Sequence, residues 1–201
     1  MANGKHKGGA FERELCHALS QWWSNGERSD HFWRSANSGG RATVRNQKGK
    51  STRGNYGDIR AEDADAANLI EFVTIELKRG YNRCTPTDLL DCRSQEKLKG
   101  FEQFLSQAIT SADQAGSFGW LLIHRRDKKR AMVYFPRRVY AALVEAGAPL
   151  KELGAPRCLL RAAVRTGGDK VEQVTFAALL LDDFFGAVRR EHVFAALKEC
   201  S

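Results

Sequence analysis

The chain has 201 residues, 42% hydrophobic and 28% charged, with 32 Lys and Arg against 24 Asp and Glu for a formal net charge of +8. That length buries one core of ordinary size, and the basic surplus favours a polyanionic partner, nucleic acid first. No stretch is apolar enough to cross a membrane, nothing after Met1 reads as a secretory signal, and five scattered cysteines (Cys16, Cys84, Cys92, Cys158, Cys200) without a C-x-x-C argue against a disulfide framework or zinc knuckle and for a reducing interior.

Gly8 and Gly9 precede a predicted helix in which Phe11, Leu15, Leu19 and Trp22 recur at helical spacing. Residues 31–34 read as a short strand. Residues 35–55 then carry almost nothing apolar and no acidic residue, a glycine-rich basic loop. Residues 58–61 start a strand, 62–65 make a turn and 69–78 form the return strand, a hairpin ended by Gly80. Residues 83–93 are irregular. Residues 95–115 place Phe101, Phe104, Leu105 and Ile109 at helical spacing. Residues 118–124 and 131–135 are strands joined by a basic turn, and 137–145 a helix. Beyond Pro149, residues 159–165 and 171–176 form a hairpin, and 181–197 a closing helix. The expected fold class is mixed α/β, with a core over residues 1–150 and a hairpin-and-helix extension over 151–201 packed on it.

Side chains alternate faces along a strand, so Glu76 and Lys78 point one way while Ile75 and Leu77 point into a core. The predicted hairpin brings Asp58 beside them. Two carboxylates suit magnesium, which takes few protein ligands and keeps several waters. A lysine next to the attacking water can orient it or ease loss of its proton. Asp58, Glu76 and Lys78 are therefore the minimum set for metal-assisted cleavage of a phosphodiester. No serine or cysteine nucleophile has a recognisable partner, and no Walker-type glycine loop is present.

Four blocks occur in order: Lys7-Gly8-Gly9-Ala10-Phe11-Glu12-Arg13-Glu14-Leu15, then Arg34-Ser35-Ala36-Asn37-Ser38, Gly57-Asp58-Ile59, and Ile75-Glu76-Leu77-Lys78. The series resembles the PD-(D/E)xK nucleases, and within them is most similar to the archaeal-type Holliday-junction resolvases. The resemblance implies a restriction-endonuclease-like fold, a mixed central sheet flanked by helices, here with a C-terminal extension. It implies a magnesium-dependent endodeoxyribonuclease, with manganese as a substitute, leaving a 5′-phosphate and a 3′-hydroxyl. The implied catalytic set is Glu12, Asp58, Glu76 and Lys78. Asp58, Glu76 and the Leu77 carbonyl would hold the metal, with Glu12 reaching it from the first helix. Arg13 and Arg34 would touch phosphates and Ser38 the DNA backbone. A four-way junction has two-fold symmetry, so a resolvase acting on branched DNA is expected to be a homodimer, working in the cytoplasm beside the nucleoid in recombination and repair. The alternatives are a phage- or defence-type nuclease cutting other duplex or flapped DNA, and a DNA-binding module without turnover. The intact Glu12, Asp58, Glu76 and Lys78 argue against the module.

Between Arg34 and Asp58 the chain is longer than in the resolvases, and the insert holds Arg41, Arg45, Lys48, Lys50 and Arg53. With Lys7 these are expected DNA contacts, since a flexible basic segment can track phosphates and order on binding. The alternative is a solvated loop. Asp63 and Asp65 fit a hairpin turn better than a calcium loop, because the glycine and distal glutamate of such a loop are missing. Of Trp22 and Trp23, one is expected in the core and the other at a subunit contact. Gln107 sits where some nucleases of this fold aim a polar group at the site, and a surface role fits it equally. The basic turn at residues 125–130 either contacts DNA or is solvated.

Overall fold

The computed structural model describes residues 4–35, 56–91, 100–153, 158–166 and 170–200, with the backbone alone at 4–7 and 91. Its elements are α1 (Gly4–Trp23), β1 (Phe32–Arg34), β2 (Ile59–Ala61), α2 (Ala64–Phe72), β3 (Val73–Arg79), α3 (Asp88–Asp91), α4 (Gly100–Ala115), β4 (Gly119–Arg125), β5 (Met132–Pro136), α5 (Arg137–Glu145), β6 (Cys158–Thr166), β7 (Lys170–Leu180), α6 (Leu181–Ala187) and α7 (Arg190–Cys200). Five strands form one sheet in the order β3-β4-β5-β7-β6, and β1 pairs with β2 separately. Only the β3–β4 pair in the five-stranded sheet is parallel. A parallel pair needs a crossover, and the segment holding α3 and α4 provides it. This is the expected mixed α/β architecture. No helix of the described residues is long and apolar enough to cross a membrane.

Each face of the sheet has its own core. One holds Phe11, Leu15, Leu19 and Trp23 of α1 with Ile75 and Leu77 of β3 and apolar residues of α2, α5, α6 and α7. The other is smaller and packs Phe101, Leu105 and Ala108 of α4 onto Trp120, Leu122, Tyr134 and Phe176. Trp23 is fully buried. Trp22 is partly buried and packs within the chain: its ring stacks on Phe185 at 5.2 Å and its Nε1 donates to the Val188 carbonyl at 2.7 Å.

The hairpin expected over residues 58–78 does not form. Residues 64–72 are helical, and β2 pairs antiparallel with β1. Asp63 is the N-cap of α2, its carboxylate accepting the Ala66 N–H at 2.9 Å, a role aspartate fills well. The helix then buries Ala66, Leu69 and Phe72. Asp63 also bonds His31 Nδ1 at 2.7 Å, which ties the start of β1 to α2. The predicted closing helix breaks at Val188, whose backbone is extended, giving α6 and α7. Residues 88–91 are helical within the segment expected to be irregular. Residues 95–99 of the predicted helix lie outside the described residues, and α4 begins at Gly100. β6 and β7 form the expected hairpin, and β7 reaches Leu180 and lies between β5 and β6. Residues beyond 150 thus supply two strands of the sheet.

Candidate active site

β3 is an edge strand of the five-stranded sheet. Its alternation is as the sequence suggests: Ile75 and Leu77 enter the α1-side core, while Glu76 and Lys78 face α4. The segment entering β2 runs along the outer edge of β3. The Asp58 N–H donates to the Ile75 carbonyl at 2.8 Å, and the Leu77 N–H donates to Asp58 Oδ2 at 2.8 Å. Gly57 makes this approach possible. Its φ is +76°, and a Cβ there would sit 2.7 Å from the Ile75 carbonyl oxygen, so a side chain would meet both strain and a clash. Ser35 fixes the same segment, its hydroxyl donating to the Gly57 carbonyl at 2.6 Å and its N–H to the Asp58 carbonyl at 2.9 Å. Asp58 therefore reaches the E-x-K strand by main-chain anchoring and not by a hairpin.

Glu76 is 2% exposed and well satisfied. Gln107 Nε2 donates to Oε2 at 2.8 Å and Ser111 Oγ donates to Oε1 at 2.8 Å. Lys78 Nζ stands 3.4 Å from Oε2 and 5.8 Å from the centre of the Phe104 ring. Gln107 and Ser111 are one turn apart on α4, so one face of that helix presents two donors to one carboxylate. Gln107 thus points at the site. Ser111 was missed by sequence reading, although its four-residue spacing from Gln107 was the available signal.

Asp58 is pushed up to about 7, by burial first and by the Glu76 carboxylate second, with Glu12 adding to the effect and Lys78 and the Leu77 N–H opposing it. A buried carboxyl raised beside a second carboxylate forms a site whose electrostatics a divalent cation would relieve. The donors also suit a hard cation. The Leu77 N–H faces Asp58, and in a strand a residue's N–H and C=O point to the same side, so the Leu77 carbonyl lies on that edge too. Asp58, Glu76 and this carbonyl fit magnesium, which takes one or two carboxylates and completes its shell with water. No cluster of three or more His, Cys, Asp or Glu able to hold a metal is present among the described residues, so a metal here would rest on the carboxylate pair.

Glu12 lies on α1 in an ion pair with Arg34 of β1, close enough to Asp58 for its charge to be felt there. Arg13 is exposed on the same helix. Glu14 pairs with Arg125, whose guanidinium also lies 4.5 Å from the centre of the Phe11 ring. The Lys7 side chain and Ser38, Arg41, Arg45, Lys48, Lys50 and Arg53 lie outside the described residues.

The sequence model of one protein family, described as Phage putative PDDEXK endonuclease, matches residues 3–182. No curated protein and no solved structure matches the chain.

Proposed function

The chain belongs to this family of phage PDDEXK endonucleases, and from that premise we propose that it hydrolyses DNA phosphodiesters with magnesium, or manganese in its place, at Asp58, Glu76 and Lys78. The observation that supports this reading most is the anchoring of Asp58 to the backbone of β3 at Ile75 and Leu77, which seats one carboxylate beside another and an ammonium. Asp58, Glu76 and the Leu77 carbonyl would hold the ion, which when bound supplies Lewis-acid charge at the phosphoryl oxygens. Lys78 orients the attacking water and steadies charge that builds in the transition state. Gln107 and Ser111 keep Glu76 in place without neutralising it. Arg34 and Arg13 would contact phosphates, with Lys7, Ser38, Arg41, Arg45, Lys48, Lys50 and Arg53 extending that track. Glu12, held by Arg34, would approach the ion from α1. Residues 1–150 would carry the whole site, on a sheet that the region after 150 completes with β6 and β7.

Family membership favours a phage-type nuclease on duplex or flapped DNA. The motif series favours a second reading, a resolvase that works as a homodimer on four-way junctions. One experiment separates them: cleavage of a labelled linear duplex, a flap and a four-way junction, with magnesium or with chelator. Magnesium-dependent cutting of duplex or flap is expected. Symmetric nicks confined to the junction, from a dimer in solution, would move the protein to the resolvases. Salt-dependent binding with no product on any DNA would make it a binding module and overturn the enzyme reading.

A further inference from the structure

We propose that the cavity beside the basic turn between β4 and β5 binds one nucleotide of the strand that reaches Asp58 and Glu76; the strand's presence rests on the nuclease reading, while the pocket's chemistry does not. The cavity has a volume of about 320 Å³, within the range of small-molecule sites and roomier than a phosphate alone needs. Met132, Tyr134 and Leu180 give it an apolar wall, and Arg126, Lys129 and Arg130 line it with charge. An apolar wall beside cations suits a base or sugar joined to a phosphate, since bases stack and phosphates take guanidinium and ammonium donors.

The strand register leads from the proposed site to this pocket. Lys78 is paired with His124, and His124 with Met132, so the three form one row across β3, β4 and β5. Phe104 bridges the first step, its ring 5.8 Å from Lys78 Nζ and 5.5 Å from the His124 ring. Neighbouring strands lie about 5 Å apart, so the wall at Met132 stands about 10 Å from Lys78. A strand seated at Asp58 and Glu76 would have neighbouring nucleotides within reach of it.

Two of the pocket's three cations are available. Arg126 and Lys129 make no ion pair among the described residues, whereas Arg130 is held by Asp182, and the other nearby carboxylates have partners of their own. Asp127 pairs with Arg79 at 3.4 Å and meets Asn82 at 3.2 Å. Asp182 pairs with Arg130 at 3.1 Å. Asp88 accepts from the Thr85 N–H and hydroxyl, each at 3.1 Å. His124 is held below the usual histidine range, by burial first, with Arg126 and Lys78 also acting against its charge. The positive charge is therefore that of the turn.

The chain supplies its own reporter, because it has two methionines, Met1 and Met132. With methyl-labelled methionine in the full chain, thymidine 5′-monophosphate in chelator should shift the Met132 signal saturably. The double variant Arg126→Ala with Lys129→Ala should weaken that response about tenfold or more. The same variant should bind a short duplex more weakly, with a salt slope reduced by about two. A Met132 signal that stays still at millimolar nucleotide, or that moves equally in the double variant, overturns the pocket. Saturating duplex should abolish the mononucleotide response; a response that persists overturns its assignment to the strand. A wild-type chain that cuts no DNA while Met132 still responds supports the pocket and sinks the nuclease reading. Cutting with an unmoved Met132 sinks the pocket alone.

Discussion

Toward α1 the sheet meets a broad apolar layer, with Ile75 fully buried and Leu77 7% exposed; toward α4 the same strand presents Thr74, Glu76 and Lys78, and Glu76 is as buried as its apolar neighbours. On the first face burial is offset by apolar contact alone. On the second, each buried polar group needs a partner. Thr74 has the Ser117 hydroxyl at 2.8 Å, and Glu76 has Gln107 and Ser111. One strand thus divides its work by face, with stability on one side and the proposed chemistry on the other. The smaller core on the α4 side leaves room for that polar notch.

Substitutions can break this division. Asp58→Asn and Glu76→Gln are expected to lower cleavage by about 10³-fold or more without unfolding the chain, as read by gel assay and thermal melting. Asp58→Asn also has a pH signature. The carboxyl ionises near 3.8 when free and at about 7 in the folded chain. Between those values the folded state holds more protons, so stability falls as pH rises through the window and levels off above it. Asp58→Asn should flatten that slope in urea titrations across pH. Magnesium competes with the same proton, so its affinity should climb with pH up to and just past 7.

Ile75→Ala, on the other face, should cost about 2–5 kcal/mol in urea unfolding. If it kept its stability and lost activity, the separation of faces would fail. Gly57→Ala tests the anchor between the two regions. Strain and the clash with the Ile75 carbonyl should cost about 1–3 kcal/mol and displace Asp58, so activity should fall further than stability explains. Gln107→Ala and Ser111→Ala should each reduce turnover by about tenfold, the size expected for one hydrogen bond to a charged group. A change in stability alone would make them packing residues only.

Much of this fold is legible in the sequence. The E-x-K alternation follows from strand geometry, and the strands expected at residues 118–124 and 131–135 around a charged turn form one residue later, at Gly119–Arg125 and Met132–Pro136. α5 was predicted with its observed bounds. α2 was misread because Leu69, Ile70, Phe72 and Val73, interrupted by Glu71 alone, carry apolar character from helix into strand with no proline or glycine to mark the join. The signal for the helix was Asp63 ahead of an alanine-rich turn, a cap that was read as a turn instead. The break at Val188 carries neither proline nor glycine at that position. Tertiary packing sets it, since the Val188 carbonyl is taken by Trp22, and no local pattern announces such a bond. Asp58 was expected beside the E-x-K strand through a hairpin and lies there by a different topology. Its route to β3 depends on Gly57 and Ser35, whose roles appear only once the strands are placed.

Because β3 is a rim strand, its outward N–H and C=O groups form a template that another polypeptide could extend. Asp58 covers two of them, the Ile75 carbonyl with its own N–H and the Leu77 N–H with its carboxylate. Those two groups are thereby closed to another strand. Asp58→Ala leaves the Leu77 N–H bare and should raise light scattering on storage, whereas Asp58→Asn keeps an acceptor there and should scatter like the parent. A substitution at Asp58 that gave up the proposed chemistry would still leave that rim to be covered, and any side-chain acceptor at this position would serve.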